Sequence, residues 1–132
     1  MRHQVFLSYT HRDKTLVAAV ERELKKLGVT AFNPGGDIKP GEDWRKSVMK
    51  AIKLSDLVVV FLADPTTVAS SWIGYEVGSA SALGKDVVVM KPSSFSVGDL
   101  PSDLAGWRTL DFDPARPAKT AKALASSLVI AG

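Results

Sequence analysis

The chain contains no cysteine, which excludes disulfides and thiolate-held metal and fits a reducing compartment such as the cytoplasm. Its two histidines, His3 and His11, stand eight positions apart on a strand pattern and a loop pattern, so no metal site is expected. No G-x-G-x-x-G follows the first apolar run, no G-x-x-x-x-G-K-[ST] occurs, and Gly-x-Ser-x-Gly is absent. The usual dinucleotide turn, the P-loop and the hydrolase nucleophile elbow are thereby excluded. Long hydrophobic runs are missing too. The longest, Leu57 to Ala63, is far too short to cross a bilayer, and the opening MRHQVFLSY lacks the apolar core of a secretory signal. Blocks of one charge sign are also absent. Lysines and arginines are scattered among acids for a net charge of +3, so the pI near 9.3 does not imply a nucleic-acid arm. These absences predict a soluble cytoplasmic domain whose partners include neither nucleic acid nor a membrane.

What is present has the size of one domain, residues 1–132, either a whole small protein or one module of a longer one. Four apolar runs read as strands: Gln4 to Leu7, Val29 to Phe32, Asp56 to Ala63 and Val87 to Met90. The third, with Leu57-Val58-Val59-Val60-Phe61-Leu62, does not alternate, as expected for a strand covered on both faces of a parallel sheet. A fifth run, Arg108 to Phe112, alternates like a half-exposed edge strand.

Between the strands the period becomes helical. Asp13 is a candidate N-cap for a stripe of Leu16, Val17, Val20, Leu24 and Leu27, and Gly28 is placed to stop that helix. After Asp43, Trp44, Val48 and Ile52 form a second stripe. Ser70 or Ser71 can cap a third helix running to about Leu83 with Gly84 as its stop, and a fourth lies within Ala118 to Val129. Pro92 to Ala105 reads as loop with at most a helical turn.

Strand and helix alternating in this way give an α/β fold: a flavodoxin-like three-layer α/β/α sandwich around a five-stranded parallel sheet of order 2-1-3-4-5. That order puts the switch point between strands one and three, and ligands of open α/β sheets bind there, outside the carboxyl ends of the strands. The adjoining loops are Ser8 to Arg12 and Asp64 to Ser71. A receiver domain shares the order but wants acids after strand one; Ser8-Tyr9 stands there instead, with Asp64 after strand three and Lys91 after strand four, so that reading is rejected.

The second loop leads into Ser71-Trp72-Ile73-Gly74-Tyr75-Glu76. Trp72 and Glu76 share a helix face one turn apart. A glutamate on a helix ordinarily faces water, and a tryptophan ordinarily packs in a core. Here the helix is small and apolar nearly all round, through Ile73, Gly74, Val77, Gly78, Ser79, Ala80 and Leu83, and Glu76 is its only charge. Such a helix packs closely and has little wet surface to maintain, which favours a glutamate with a task.

Taken in order, Val5-Phe6-Leu7-Ser8-Tyr9, Leu27 to Phe32, Asp37 to Trp44, Ser55 to Leu62, Ser71-Trp72 to Glu76 and Gly84 to Met90 resemble the Toll/interleukin-1 receptor (TIR) domain, most closely its bacterial branch. The resemblance implies the five-strand flavodoxin-like sheet. It implies hydrolysis of NAD+ at the nicotinamide–ribose bond, giving nicotinamide and ADP-ribose or a cyclic form, in bacterial defence or virulence signalling. NAD+ is then substrate, with no cofactor and no metal. The family's Trp-x-x-x-Glu pattern makes Glu76 the catalytic residue and Trp72 a wall of the pocket. Ser8, Tyr9, Thr10 and His11 would line the base or ribose side, with Asp37 contributing from the loop after strand two. That loop, Asp37 to Asp43 around Pro40-Gly41, resembles the family's BB loop and implies self-association and contact with other TIR domains. Phe95 would stack on substrate held by a neighbouring subunit, or else pack locally. The chain departs from the pattern at Asn33-Pro34-Gly35-Gly36, where an acid is common, and at Thr10, where some branches carry a base. Two other readings share these residues: a non-catalytic TIR adaptor, and a nucleoside deoxyribosyltransferase-like enzyme with a glutamate nucleophile.

Overall fold

The computed structural model describes residues 3–9, 13–33, 43–62, 71–94, 96 and 106–131, excepting the side chains of 44, 71–75 and 129–131. Among the described residues, five strands and four helices follow in the order β1 (His3–Ser8), α1 (Lys14–Lys26), β2 (Val29–Phe32), α2 (Trp44–Leu54), β3 (Leu57–Phe61), α3 (Ser71–Ala82), β4 (Val87–Pro92), β5 (Arg108–Phe112) and α4 (Pro117–Ala131). All neighbouring strands pair in parallel in the order β2-β1-β3-β4-β5, which is the flavodoxin-like order expected from the alternation.

Each strand sends alternate side chains to opposite faces. Val5 and Leu7 of β1, Leu57, Val59 and Phe61 of β3, and Val88 and Met90 of β4 form one apolar layer with Val17, Val20 and Leu24 of α1 and Leu124 and Leu128 of α4. Phe6, Val58, Val60, Leu62, Val87 and Val89 form the other, against Val48 and Ile52 of α2 and Val77 and Ala80 of α3. The unbroken apolar run of β3 thus serves two cores, and all five of its residues are buried. The edge strand β5 is half-exposed, and only its last residue, Phe112, is buried. Phe112 meets Phe61 edge-on at 5.7 Å between ring centroids.

The strand limits differ from the apolar runs in instructive ways. β3 starts one residue late because Asp56 is used as a fastener. Its carboxylate accepts from the Gln4 backbone N–H at 3.0 Å, and its own N–H donates to the Gln4 carbonyl at 2.8 Å. β4 runs two residues further than its apolar core, through Lys91 and Pro92, whose partners in β5 are Asp111 and Phe112. Lys91 therefore belongs to the sheet rather than to a loop after it. β1 extends through Ser8, which pairs with Val60 and is fully buried, so Ser8 is a strand residue and not the first residue of a turn.

The helix ends also depart in part. Asp13 precedes α1 but makes no side-chain capping hydrogen bond; its φ of −95° and ψ of 8° lie outside the extended region that a capping residue needs. Leu27 lies past the end of α1 and is 46% exposed, so the buried stripe stops at Leu24. Gly28 and Gly84 follow their helices with φ of 79° and 69°, the left-handed conformation that stops a helix cheaply only at glycine. Of the BB-loop stretch, Asp43 alone lies within the described residues. It is extended, and its carboxylate accepts from the backbone N–H groups of Arg45 at 3.1 Å and Lys46 at 3.5 Å.

That cap carries a test. Asp43→Ala should lower the urea midpoint by the equivalent of about 1 kcal/mol, and Asp43→Ser should restore most of it. An unchanged midpoint in the alanine variant would show that α2 does not depend on its cap.

Candidate active site

The switch point lies between β1 and β3, where Ser8 and Val60 are register partners at the carboxyl end of the sheet. Parity decides what Ser8 faces. It leaves the strand on the same side as Phe6, toward α2 and α3. On α3, Glu76 occupies the turn beside the buried Val77 and one turn before the buried Ala80. The two polar side chains meet, and Ser8 Oγ donates to Glu76 Oε1 at 2.6 Å. Both are fully buried.

The other carboxyl oxygen, Oε2, is buried without a hydrogen-bond partner among the described residues. The layer that Ser8 and α3 share is apolar, built from Phe6, Val58, Val60, Leu62 and Val77 among others. Removal from water disfavours the carboxylate far more than one hydroxyl can restore it. Burial therefore pushes Glu76 up to about 8, against a smaller downward pull from Ser8. An isolated buried charge costs so much that such a group stays protonated until something cationic arrives. A carboxyl with a raised pKa at a sheet's switch point is the kind of perturbed group that clusters at functional sites.

The remaining expected residues are distributed as follows. Trp72 lies in α3 one turn before Glu76, on the same helix face, with its side chain outside the described residues. Tyr9 follows β1 and packs on the opposite layer, under α1 and α4, where its hydroxyl donates to Asn33 Oδ1. Asn33 in turn donates to Glu21 Oε1 at 3.2 Å. Thr10, His11, Asp37 and Phe95 lie outside the described residues. The structure thus unites Ser8 with Glu76 and sends Tyr9 to the other face. The Tyr9–Asn33–Glu21 chain was not anticipated; a lone asparagine just after strand two was its only signal. Among the described residues no group of three or more His, Asp or Glu side chains could hold a metal ion.

A model of the TIR-domain family matches residues 5–126. The chain belongs to that family. Three solved structures share the fold at low identity. The TIR domain of a Toll-related receptor from Hydra magnipapillata superposes with a TM-score of 0.68 at 17% identity, covering 94% of this chain and 96% of that one. A CMP N-glycosidase from Clostridium botulinum gives 0.62 at 20% identity, over 93% and 98% of the two chains. A 2-deoxyribosyltransferase from Bacillus psychrosaccharolyticus gives 0.56 at 20% identity, over 87% and 90%. No curated protein matches the sequence. In this TIR domain no described helix is long and apolar enough to cross a membrane.

The burial of Glu76 has a measurable consequence. Its folded-state pKa of about 8 lies above the usual 4.5, so the native protein holds a proton that the unfolded chain gives up. That contribution to stability is complete at low pH and is lost as pH rises toward 8. Glu76→Gln does not titrate. Its stability relative to wild type should rise between about pH 5 and pH 8, by at most about 1.4 kcal/mol per pH unit, and level off above. Urea midpoints at pH 5, 6.5 and 8.5 measure this. A pH-independent difference would place the carboxyl in water.

Proposed function

We propose that this TIR domain cleaves the N-glycosidic bond between nicotinamide and ribose in NAD+, with Glu76 as the catalytic carboxylate. The observation that carries the reading is the Glu76 carboxyl itself: fully buried at the switch point, held through Oε1 by Ser8, and with Oε2 unbonded. The Trp72–Glu76 spacing and membership in the TIR family support it. So does the occurrence of the same fold in an enzyme named for cleaving an N-glycosidic bond and in another named for transferring deoxyribose.

The chemistry asks for one carboxylate rather than two. Nicotinamide is bound to ribose as a pyridinium. When the bond from ribose C1′ to the ring nitrogen breaks, both electrons go to the ring, which leaves neutral and needs no proton. An ordinary glycosidase must protonate its leaving oxygen and therefore uses a second carboxyl group. Positive charge develops on the ribose as an oxocarbenium ion, and Glu76 would face it. At about 4 Å and an effective dielectric of about 20, that attraction is about 4 kcal/mol. Water then adds to C1′ and releases a proton, giving ADP-ribose; attack by a group of the substrate itself gives a cyclic product instead. Ser8 orients the carboxylate, and Trp72 supplies a flat wall for the bound dinucleotide. An adaptor that only recruits other TIR domains has no use for a carboxyl buried at this cost, which favours the enzyme.

Glu76→Gln should lower the rate of NAD+ cleavage at least about a hundredfold, read as nicotinamide release by chromatography. Wild-type turnover in that variant would remove Glu76 from the chemistry. Deoxynucleosides with a free base, offered in parallel, report the transferase reading by base exchange.

The free domain holds Glu76 with its pKa near 8, and the reaction needs the carboxylate. For wild type, kcat/KM should therefore rise with pH to a plateau above about 8. The permanently cationic pyridinium favours ionisation once bound, so kcat should reach its plateau at lower pH. Ser8→Ala removes the one downward influence on Glu76 and should move the kcat/KM profile to higher pH. A flat profile from pH 5 to 9 would contradict the assignment of the carboxylate.

A further inference from the structure

We propose that the outer face of α2 is a docking surface for an anionic lipid bilayer, which it meets through Lys46, Lys50, Lys53 and Leu54. The proposal goes beyond the NAD+ reading, and neither stands or falls with the other.

α2 carries Arg45, Lys46, Lys50 and Lys53 and no acid. The chain has 17 basic and 14 acidic residues; 17 less these four leaves 13 against 14, so the whole excess of positive charge resides in this helix. At about 100° per residue, Arg45, Met49, Lys53, Lys46, Lys50 and Leu54 fall in that order around about half of the helix. Val48, Ala51 and Ile52 fill the other half and are buried in the core. Along the chain the basic residues lie scattered, which is why no membrane partner is expected from sequence; the helix gathers four of them on one side. These four are exposed, and with half-buried Met49 they line a shallow groove. Leu54, at the end of the arc, is 65% exposed.

Folding does not account for this charge. Arg45 and Lys46 stand in the first turn, at the positive end of the helix dipole, where acids are favoured and none is present. Lys46 and Lys50 are four apart and Lys50 and Lys53 three apart, spacings at which like charges repel. Lys46, Lys50 and Lys53 take no part in the ion pairs among the described residues. The capping carboxylate of Asp43 is engaged by backbone N–H groups. The make-up of the face selects the partner. Negative headgroups complement the lysines, and four cations on one helix suit a leaflet that carries anionic lipid. Leu54 and Met49 add apolar surface to the same arc, which the boundary between headgroups and acyl chains accepts and a phosphodiester backbone does not. No aromatic residue lies on the arc to stack on bases. With the apolar half of α2 committed to the core, the helix lies on the surface and the lysine stems reach the headgroups.

Sedimentation of the protein with vesicles of phosphatidylcholine, alone or mixed with phosphatidylserine, tests this. Wild type should bind only the mixed vesicles, and added salt should release it. A lysine near a negative leaflet is worth about a fivefold change in partition, so Lys46→Gln, Lys50→Gln and Lys53→Gln together should weaken binding about a hundredfold. Arginine at all three positions should preserve it, and Leu54→Ser should weaken it at every salt concentration. Lys25→Gln, Lys119→Gln and Lys122→Gln together lower the net charge equally, but on α1 and α4 of the opposite layer, and should change binding little. Wild type that ignores the mixed vesicles, or equal losses in the two triple variants, would overturn the proposal. Tighter binding of an oligonucleotide than of mixed vesicles at the same salt would assign the face to nucleic acid and overturn it too. If the α2 triple variant does not fold, as judged by circular dichroism, the three single variants decide: weakened binding in at least two supports the proposal, and in fewer overturns it.

Discussion

A carboxyl group kept dry, with one hydroxyl as its partner, is the constraint that most of this architecture serves. Glu76 reaches its position because α3 can lie close on the sheet, and α3 can do so because it is built from small and apolar residues. The sheet beneath must itself be dry, which the two-sided burial of β3 and β4 provides. Ser8 must end β1 on the correct face, which the parallel register with β3 secures. Each of these features is ordinary in an α/β domain. Together they hold a titratable group where water cannot stabilise its charge.

The same dryness would let such a group be stable in the free domain and, on the proposed reading, reactive with substrate. Protonated, it fits its surroundings and costs the fold little. Beside a pyridinium, its charged form gains a strong partner in a medium of low dielectric, where the attraction is large. On the proposed reading, the substrate's own charge would ionise the residue that acts on it, and the free domain would hold no buried anion. The fold by itself does not dictate this, since sheets of this order serve many chemistries. The local environment of one side chain does.

A second charge is placed by the same geometry. The face of the sheet that receives Glu76 at one end of its carboxyl edge receives Lys91 at the other, and both depend on which side of the pleat an even or odd residue occupies. The Tyr9–Asn33–Glu21 chain, on the opposite layer, ties the end of β1 to β2 and α1. It steadies the strand that presents Ser8.

The pattern of residues by itself determined the alternation of elements and the order of the strands, and marked Glu76 as the one charge on its helix. An unbroken apolar run such as Leu57 to Leu62 has few places to go except a strand covered on both faces. A lone acid on a helix of small apolar residues has little reason to be there for solubility. Which neighbour would meet that acid was decided only by tertiary structure. Ser8, Tyr9, Thr10 and His11 were equal candidates along the chain. Extending β1 through Ser8 assigned Ser8 to α3 and left Tyr9 to pack beneath α1 and α4. Lys91 was legible only as a residue beyond a strand, and the pairing of β4 with β5 made it a buried cation. The reason is the same in both cases. Side chains alternate along a strand, so one residue more or less in its length reverses what faces the site, and hydropathy does not resolve a strand's last residue.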